Sequence, residues 1–144
     1  MPGTPETILS FDFGLRRIGV AVGQQVTGTA SPLGTVPNGE DGPDWGGIAA
    51  LVREWQPSRL IVGMPAHADG SPSAIGNAAR DFARRLARFD LPVATVDERY
   101  SSIEAEARLL EQRREGLRGR IGKADIDAAA AVLIAERWLK KTHQ

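Results

Sequence analysis

Three acidic residues in this chain stand where chemistry could be done, each beside an apolar segment. Asp12 closes the run TILSFD between two phenylalanines, Glu98 follows the apolar run LPVATVD, and Asp127 directly precedes the run AAAAVLI. An isolated charge in such surroundings is costly to bury unless it gains a partner or a metal ion. We therefore take these three carboxylates as candidate catalytic residues.

Taken singly, each acid also has an ordinary structural explanation. Asp12 could form a turn, Glu98 could pair with Arg99, and a carboxylate in the first turn of a helix commonly caps free N–H groups. We favour that capping role for Asp125, and a functional role for Asp127, because the helix beyond Asp127 is almost entirely apolar. Helical residues two apart do not share a face, so only one of these two neighbours is expected to be a primary ligand.

The shared placement of the three acids predicts a metal site. Each lies at the end of an element, and open α/β sheets usually place ligands at their carboxyl edge. Without a metal ion we expect the clustered carboxylates to repel one another with no compensating partner. The chain has no cysteine, and its two histidines, His67 and His143, fall in a predicted loop and a tail. Oxygen-only ligands favour Mg²⁺ or Mn²⁺, and two such ions could activate water for phosphodiester cleavage.

A mixed α/β sheet is predicted to position these acids. Alternating apolar residues predict early antiparallel strands over residues 7–12, 18–24 and 26–37, and a polar loop over 38–43. Short, continuously apolar runs predict buried strands over 59–63 and 91–97. Apolar residues at helical spacing predict helices over 45–55, 74–89, 101–114 and 126–140. This element order is typical of a sheet with helices on its faces.

Length and composition narrow the class of protein. The 144 residues suit one domain, residues 1–144, with flexible tails at 1–6 and 142–144. The absence of cysteine excludes a disulfide framework, a thiolate zinc site and a cysteine nucleophile. No apolar run approaches the ~20 residues that span a bilayer, and no signal segment is visible, so we expect a cytoplasmic protein without a membrane partner.

Charge is balanced overall but not along the chain. Eighteen basic residues stand against eighteen acidic ones, which argues neither for nor against a polyanionic partner. Residues 108–123, however, contain six cations against two acids: Arg108, Arg113, Arg114, Arg118, Arg120 and Lys123 against Glu111 and Glu115. We call residues 108–123 the basic segment and expect it to follow a phosphate backbone.

Four segments of the chain, taken in order, resemble a known family. They are FDFGLRRIGVAVG from Phe11, LIVGMPAHADGS from Leu60, VDERYSS from Val96 and KADIDAAAAVLI from Lys123. They resemble the bacterial YqgF family, also called RuvX, described as Holliday junction resolvases and as nucleases that mature the precursor of small-subunit ribosomal RNA. Together the four segments span almost the whole chain, which makes the resemblance more specific than any lone motif.

The resemblance implies a fold, an activity and a set of site residues. The fold is an α/β ribonuclease H-like fold, with five strands in the order 3-2-1-4-5, strand 2 antiparallel and helices flanking the sheet. The activity is metal-dependent hydrolysis of phosphodiester bonds by an endonuclease, in maturation of the 5′ end of pre-16S rRNA or, alternatively, in resolving DNA junctions. Asp12, Glu98 and Asp127 are implied as both catalytic residues and ligands of Mg²⁺ or Mn²⁺, since Asp127 matches the family pattern better than Asp125.

Further residues are candidates for substrate binding. Arg16 and Arg17 could be ordinary turn charges, but the resemblance favours phosphate contact. Ser101 and Ser102 are interpreted as helix caps, with Glu104 completing a capping box, although their backbone amides could also hold a phosphate. The complete predicted set is Arg16, Arg17, Arg99, Ser101, Ser102, Arg118, Arg120 and Lys123. The implied partners are structured RNA or DNA junctions and a ribosome precursor, with the protein acting as a monomer or a homodimer.

Two other functions remain open from the residues alone. The pattern of Asp12, Gly14 and Gly19 also resembles the phosphate-binding hairpin of actin and sugar-kinase ATPases, but those proteins close a cleft between two related lobes and this chain has the length of one. A non-catalytic nucleic-acid module is the other alternative. Three acids near a phosphate path argue against it, because a pure binder would gain affinity by losing them.

Overall fold

One mixed sheet organises residues 6–64, 74–97, 101–114 and 122–142, which are the residues that the computed structural model describes. The strands lie in the order β4-β3-β2-β1-β5-β6. The elements in chain order are β1 (Thr7–Asp12), β2 (Arg17–Gln24), β3 (Thr29–Gly39), β4 (Gly42–Pro43), α1 (Trp45–Trp55), β5 (Arg59–Met64), α2 (Ala74–Arg85), a 3₁₀ turn (Leu86–Phe89), β6 (Val93–Asp97), α3 (Ser101–Arg114) and α4 (Lys123–Thr142).

The pairing of the strands confirms the predicted topology. β1 pairs antiparallel with β2 and parallel with β5, and β5 pairs parallel with β6. Without the two-residue strand β4 the order is the predicted 3-2-1-4-5. The predicted loop over residues 38–43 was wrong, because Asn38 and Gly39 pair with Pro43 and Gly42 in a short hairpin. Gly42 has a φ of 86°, a left-handed conformation that lets the chain turn back within two residues.

The two faces of the sheet are covered by different helices. Leu9 and Phe11 of β1 point into the larger core, which α1 and α2 complete with residues such as Ile48 and Phe82. The alternate residue Ile8 points to the opposite face and packs against α4. Because successive strand residues face opposite sides, every second residue of β1 meets α4.

Several element boundaries differ from the prediction. The last helix begins at Lys123 rather than 126 and continues to Thr142. The helix predicted over 74–89 is α-helical only to Arg85 and then tightens into a 3₁₀ turn, which Asp90 closes in a left-handed conformation. The third strand begins at Thr29 instead of 26, since Gly28, with a φ of 67°, belongs to the preceding turn. None of the described helices is long and apolar enough to cross a membrane.

Candidate active site

Asp12 is the last residue of β1 and lies at the carboxyl edge of the sheet. It continues the alternation of Ile8 and Ser10, both of which contact α4, and the Ser10 hydroxyl donates to the Ala131 carbonyl at 2.7 Å. The cross-strand partner of Asp12 is Gly19. Cross-strand partners place their side chains on the same face, so the Asp12 carboxylate lies on the face that α4 covers.

Gly19 brings Asp127 to that same place. A β-carbon built on Gly19 would stand 2.0 Å from the backbone oxygen of Asp127, closer than any side chain allows. The first turns of α4 therefore rest directly on the backbone of β2, opposite Asp12. Asp127 is half-buried, with 26% of its side chain exposed. The backbone of Asp127 thus lies against Gly19, the cross-strand partner of Asp12, although the two acids are far apart in the sequence.

The Asp127 carboxylate has a charged partner. Nε of Arg17, the first residue of β2, donates a hydrogen bond to Asp127 Oδ2 in an ion pair. The expectation that the acids stand without a compensating partner is therefore wrong for Asp127. The cause is geometric: β2 begins beside the first turns of α4, and a long guanidinium side chain spans the remaining gap.

The turn between β1 and β2 is clamped by a residue that the sequence analysis assigned to a loop. The Asn38 side-chain amide donates to the Gly14 carbonyl at 2.7 Å, and the Asn38 backbone N–H donates to the Arg16 carbonyl at 2.9 Å. Asn38 is 8% exposed. A β-carbon on Gly14 would lie 2.5 Å from the Arg17 carbonyl oxygen, so the turn also needs glycine there. Asn38 and Gly14 together fix the direction in which Arg17 leaves the turn.

Asp125 has the capping role that was favoured for it. Its Oδ2 accepts a hydrogen bond from the Gly122 backbone N–H at 2.9 Å, three residues earlier. A carboxylate at the third helical position that reaches back to the residue before the helix is the second half of a capping box. Asp125 and Asp127 therefore point to different partners. The cap also accounts for the earlier start of α4.

The third predicted acid and several predicted substrate contacts lie outside the described residues. This holds for Glu98, Arg99, Arg118 and Arg120, and for the side chains of Ser101, Ser102 and Glu104. Within residues 6–64, 74–97, 101–114 and 122–142, no three His, Cys, Asp or Glu side chains are grouped closely enough to hold a metal ion. Of the three predicted ligands, Asp12 and Asp127 lie within the described residues and Glu98 does not.

The end of β6, directly before Glu98 in the sequence, is held by α4. Arg137 Nη1 donates to the Asp97 carbonyl at 2.9 Å. Val96, the residue before Asp97, packs in the cluster beneath α4. Val96 is level with Gly63, which is in turn level with Asp12. The sequence analysis did not single out Arg137, because an arginine near the end of a helix is usually a solvated charge.

The predicted basic residues have different surroundings. Arg16 and Lys123 are exposed, on the β1–β2 turn and at the first residue of α4. Arg108, at the start of the basic segment, forms an ion pair with Glu136 of α4 at 2.8 Å. The charge of Arg108 is therefore partly offset by Glu136. The other five cations of the basic segment lie later in the sequence, between residues 113 and 123.

Comparison with known proteins decides the family. The model of the RuvX family, described as a Holliday junction resolvase, matches residues 6–141. The chain belongs to the RuvX family. This confirms the resemblance that the four segments carried, and with it the assignment to a nuclease family.

RuvX relatives from several bacteria match over nearly their whole length. The chain is 46% identical over 138 residues to a protein of Pectobacterium carotovorum, covering 95% of this chain and 97% of that one. It is 46% identical over 137 residues to a protein of Azotobacter vinelandii, covering 94% of each. It is 47% identical over 134 residues to a protein of Pseudomonas aeruginosa, covering 92% of this chain and 90% of the relative. All three relatives are provisionally named pre-16S rRNA nucleases.

Solved structures confirm the fold of this RuvX chain. Thermus thermophilus RuvC in complex with a Holliday junction substrate superposes with a TM-score of 0.57 at 18% identity, covering 96% of each chain. The fowlpox virus resolvase bound to Holliday junction DNA superposes with a TM-score of 0.53 at 12% identity, covering 96% of this chain and 99% of the other. At these identities the likeness concerns the fold alone, and it agrees with the predicted ribonuclease H-like sheet.

Proposed function

We propose that this RuvX protein is a metal-dependent endonuclease that cuts the precursor of 16S rRNA near its 5′ end, with Asp12, Glu98 and Asp127 as its catalytic acids. One observation carries the proposal: Gly19 seats the first turns of α4 on β2, so the backbone of Asp127 lies against the cross-strand partner of Asp12. A binding protein for polyanions gains nothing from two carboxylates held together at such an edge. A nuclease needs them to hold cations.

The chemistry of the donor atoms fits a hard divalent ion. Asp12 and Asp127 offer only carboxylate oxygens, which Mg²⁺ and Mn²⁺ prefer. Glu98 is proposed as the third ligand, because it directly follows Asp97, whose backbone carbonyl accepts a hydrogen bond from Arg137 of α4. A metal ion bound there would supply an activated water and stabilise charge on the leaving oxygen. The protein's own task would be to hold the oxygen donors in place, and the capped helix beside Asp127 and the clamped turn beside Asp12 support that role for these two acids.

The exposed cations beside the acids outline a substrate path. Arg16 lies on the β1–β2 turn and Lys123 opens α4, so both border the edge where Asp12 and Asp127 meet. Arg17, Arg99, Arg118 and Arg120 are proposed to add phosphate contacts, with the backbone amides at Ser101 and Ser102. Such contacts position a substrate without reading its sequence. We propose that the protein works in the cytoplasm on a ribosome precursor, as a monomer or a homodimer.

A substrate panel tests this proposal. Purified protein would be offered a 16S rRNA precursor, single strands, duplexes and four-way DNA junctions, each with Mg²⁺, with Mn²⁺ and with chelator. We expect cleavage of the precursor only in the two metal arms. Cleavage of no substrate in any arm, with binding that does not respond to Mg²⁺, would instead support a non-catalytic module.

Resolution of DNA junctions is the second candidate function. It is favoured by the description of the matching family model and not by any separate feature of the site. The same panel distinguishes the two functions. Symmetric cuts in the four-way junction, at rates above those on the RNA precursor, would assign the protein to DNA recombination.

A further inference from the structure

The ion pair between Arg17 and Asp127 places a cation on a proposed metal ligand. The sequence resemblance pointed Arg17 toward a substrate phosphate, yet its guanidinium is bound to Asp127. We propose that Arg17 is an exchangeable counter-ion: it neutralises Asp127 while the site holds no metal and turns to the substrate phosphate once a divalent ion is bound. The inference rests on the proposed metal-dependent function and adds a step to it.

The backbone on both sides of the pair is held in place, so exchange requires only side-chain rotation. Asp127 is seated on Gly19, and the turn before Arg17 is clamped by Asn38. The Arg17 side chain is 33% exposed and that of Asp127 is 26% exposed. A long guanidinium side chain that is partly in water can swing away from its partner without disturbing the packing beneath it.

The strength of the pair favours exchange over a permanent structural role. Partly exposed ion pairs contribute only about 0–1 kcal/mol to stability, because water screens the charges and ordering two side chains costs entropy. A divalent cation attracts the same carboxylate with twice the charge. Arg17 therefore competes with the metal ion, but only weakly.

Once Arg17 is released from Asp127, its guanidinium is available to bind a substrate phosphate. If the carboxylates of Asp12 and Asp127 held a divalent ion, the Arg17 guanidinium would face a like charge there and be repelled from its former partner. A substrate phosphate at this edge would then offer the released guanidinium a new anionic partner, whose oxygens a planar guanidinium matches in bidentate geometry. In this account Arg17 contacts the substrate phosphate only after a divalent ion has bound to the site.

Substitution of Arg17 tests the exchange. Arg17→Met removes the competing charge and keeps most of the side-chain length, whereas Arg17→Lys keeps the charge. Arg59→Met is the matched control, because it breaks another partly exposed arginine–carboxylate pair, with Glu6, at the opposite end of the sheet from the acids and outside the basic segment. Mn²⁺ affinity would be measured by calorimetry without substrate, and KM would be measured on the RNA precursor.

The expected signature is a pair of opposite shifts. Arg17→Met should bind Mn²⁺ about 2- to 5-fold more tightly, the factor expected on losing a partly exposed ion pair, while KM for the RNA rises. Arg17→Lys should lie between Met and wild type in Mn²⁺ affinity, and Arg59→Met should match wild type in both Mn²⁺ affinity and KM. Unchanged or weaker Mn²⁺ binding by Arg17→Met would overturn the inference.

A spectroscopic measurement on the wild-type protein separates exchange from electrostatics acting through space. In chelator, the Arg17 Nε–H proton should exchange slowly with water because it is bonded to Asp127, and Mg²⁺ should accelerate that exchange. Protection that persists at saturating Mg²⁺ would mean that Arg17 stays on Asp127 and would overturn the inference. Failure of the proposed function looks different, since wild-type protein would then bind no Mn²⁺ and would not cleave.

Discussion

The two ends of α4 lie on the same strands but have opposite character. Toward its C-terminus, Leu139 is buried with Ile134 against Ile8 of β1, in an apolar contact. Toward its N-terminus, Asp127 lies over Gly19 of β2 with an arginine partner and a second acid opposite. One end gains stability from burying apolar surface, whereas the other holds a pair of partly exposed charges.

The glycines beneath the two ends show the same difference. A β-carbon on Gly19 would meet the backbone of Asp127 at 2.0 Å, whereas one on Gly23 would meet side-chain atoms of Ile8 at 2.9 Å and Leu139 at 3.2 Å. The ends of side chains can rotate away, but a helix backbone cannot. The N-terminal end is therefore held by direct contact between backbones, and the C-terminal end by ordinary packing of side chains.

Removing the charge at the N-terminal end should have the largest effect. Asp127→Asn should lower the cleavage rate by about 10²–10³-fold, the scale on which lost electrostatic stabilisation of a transition state is felt. Stability without metal should fall by no more than about 1 kcal/mol, because the lost ion pair is partly exposed. Cleavage assays and thermal melting in chelator would measure both.

The matched control for that substitution is Glu136→Gln, which breaks the ion pair with Arg108 two to three turns further along α4. It should cost a similarly small amount of stability and leave cleavage unchanged. If Asp127→Asn retained cleavage while Glu136→Gln lost it, the functional contrast between the two ends would be wrong.

Truncation at the C-terminal end should affect stability alone. Leu139 is 1% exposed, so Leu139→Ala would remove buried methyl groups and leave a cavity, at a cost of about 2–5 kcal/mol. Cleavage per folded molecule should stay near the wild-type rate, provided that assays are run well below the lowered melting temperature. A loss of cleavage as large as that of Asp127→Asn would show that the two ends are not separable.

Alanine at the two glycines compares the ends directly. Gly19→Ala should cost about 1–3 kcal/mol through overpacking and should also reduce cleavage, because α4 must shift and carry Asp127 with it. Gly23→Ala should cost less, since Ile8 and Leu139 can adjust, and should leave cleavage intact. Chemical denaturation and cleavage rates would be measured for both variants, and equal effects of the two would contradict the comparison.

The smallest effect is expected at Asp125. Asp125→Asn keeps an oxygen that can accept from the Gly122 N–H and removes only a charge that favours the helix N-terminus, a loss of about 0.3–1 kcal/mol. Cleavage should be largely retained. If Asp125→Asn were inactive and Asp127→Asn active, the assignment would be reversed: Asp125 would be the catalytic acid and Asp127 would not.

Local patterns were sufficient to predict most elements of the fold. The run TILSFD forms β1 over the predicted residues, and the helical spacing of apolar residues from Trp45 to Trp55 matches α1. The hairpin that adds β4 was missed, because polar and glycine-rich segments resemble loops until Gly42 turns the chain back. The start of α4 was misplaced because it depends on one carboxylate reaching one backbone N–H.

The candidate site could be predicted only in part. Apolar surroundings were enough to single out Asp12 and Asp127, but their meeting depends on the missing side chain of Gly19, a contact between β2 and α4 that no local pattern encodes. The Arg17–Asp127 pair joins residues 110 positions apart, and it reversed the expectation of an uncompensated acid. Asn38 was missed for a similar reason, because its hydrogen-bond partners, Gly14 and Arg16, lie more than twenty positions earlier in the chain.

The central claim is that carboxylates at this edge hold a divalent ion that cuts nucleic acid, and a Mg²⁺ titration of cleavage tests it most directly. Wild-type protein and Asp12→Asn would be assayed on the RNA precursor from chelator to saturating Mg²⁺. We predict no cleavage by either protein in chelator, a saturable rise for wild type, and no comparable rise for Asp12→Asn. Full cleavage in chelator, by a preparation free of contaminating nuclease, would contradict the account.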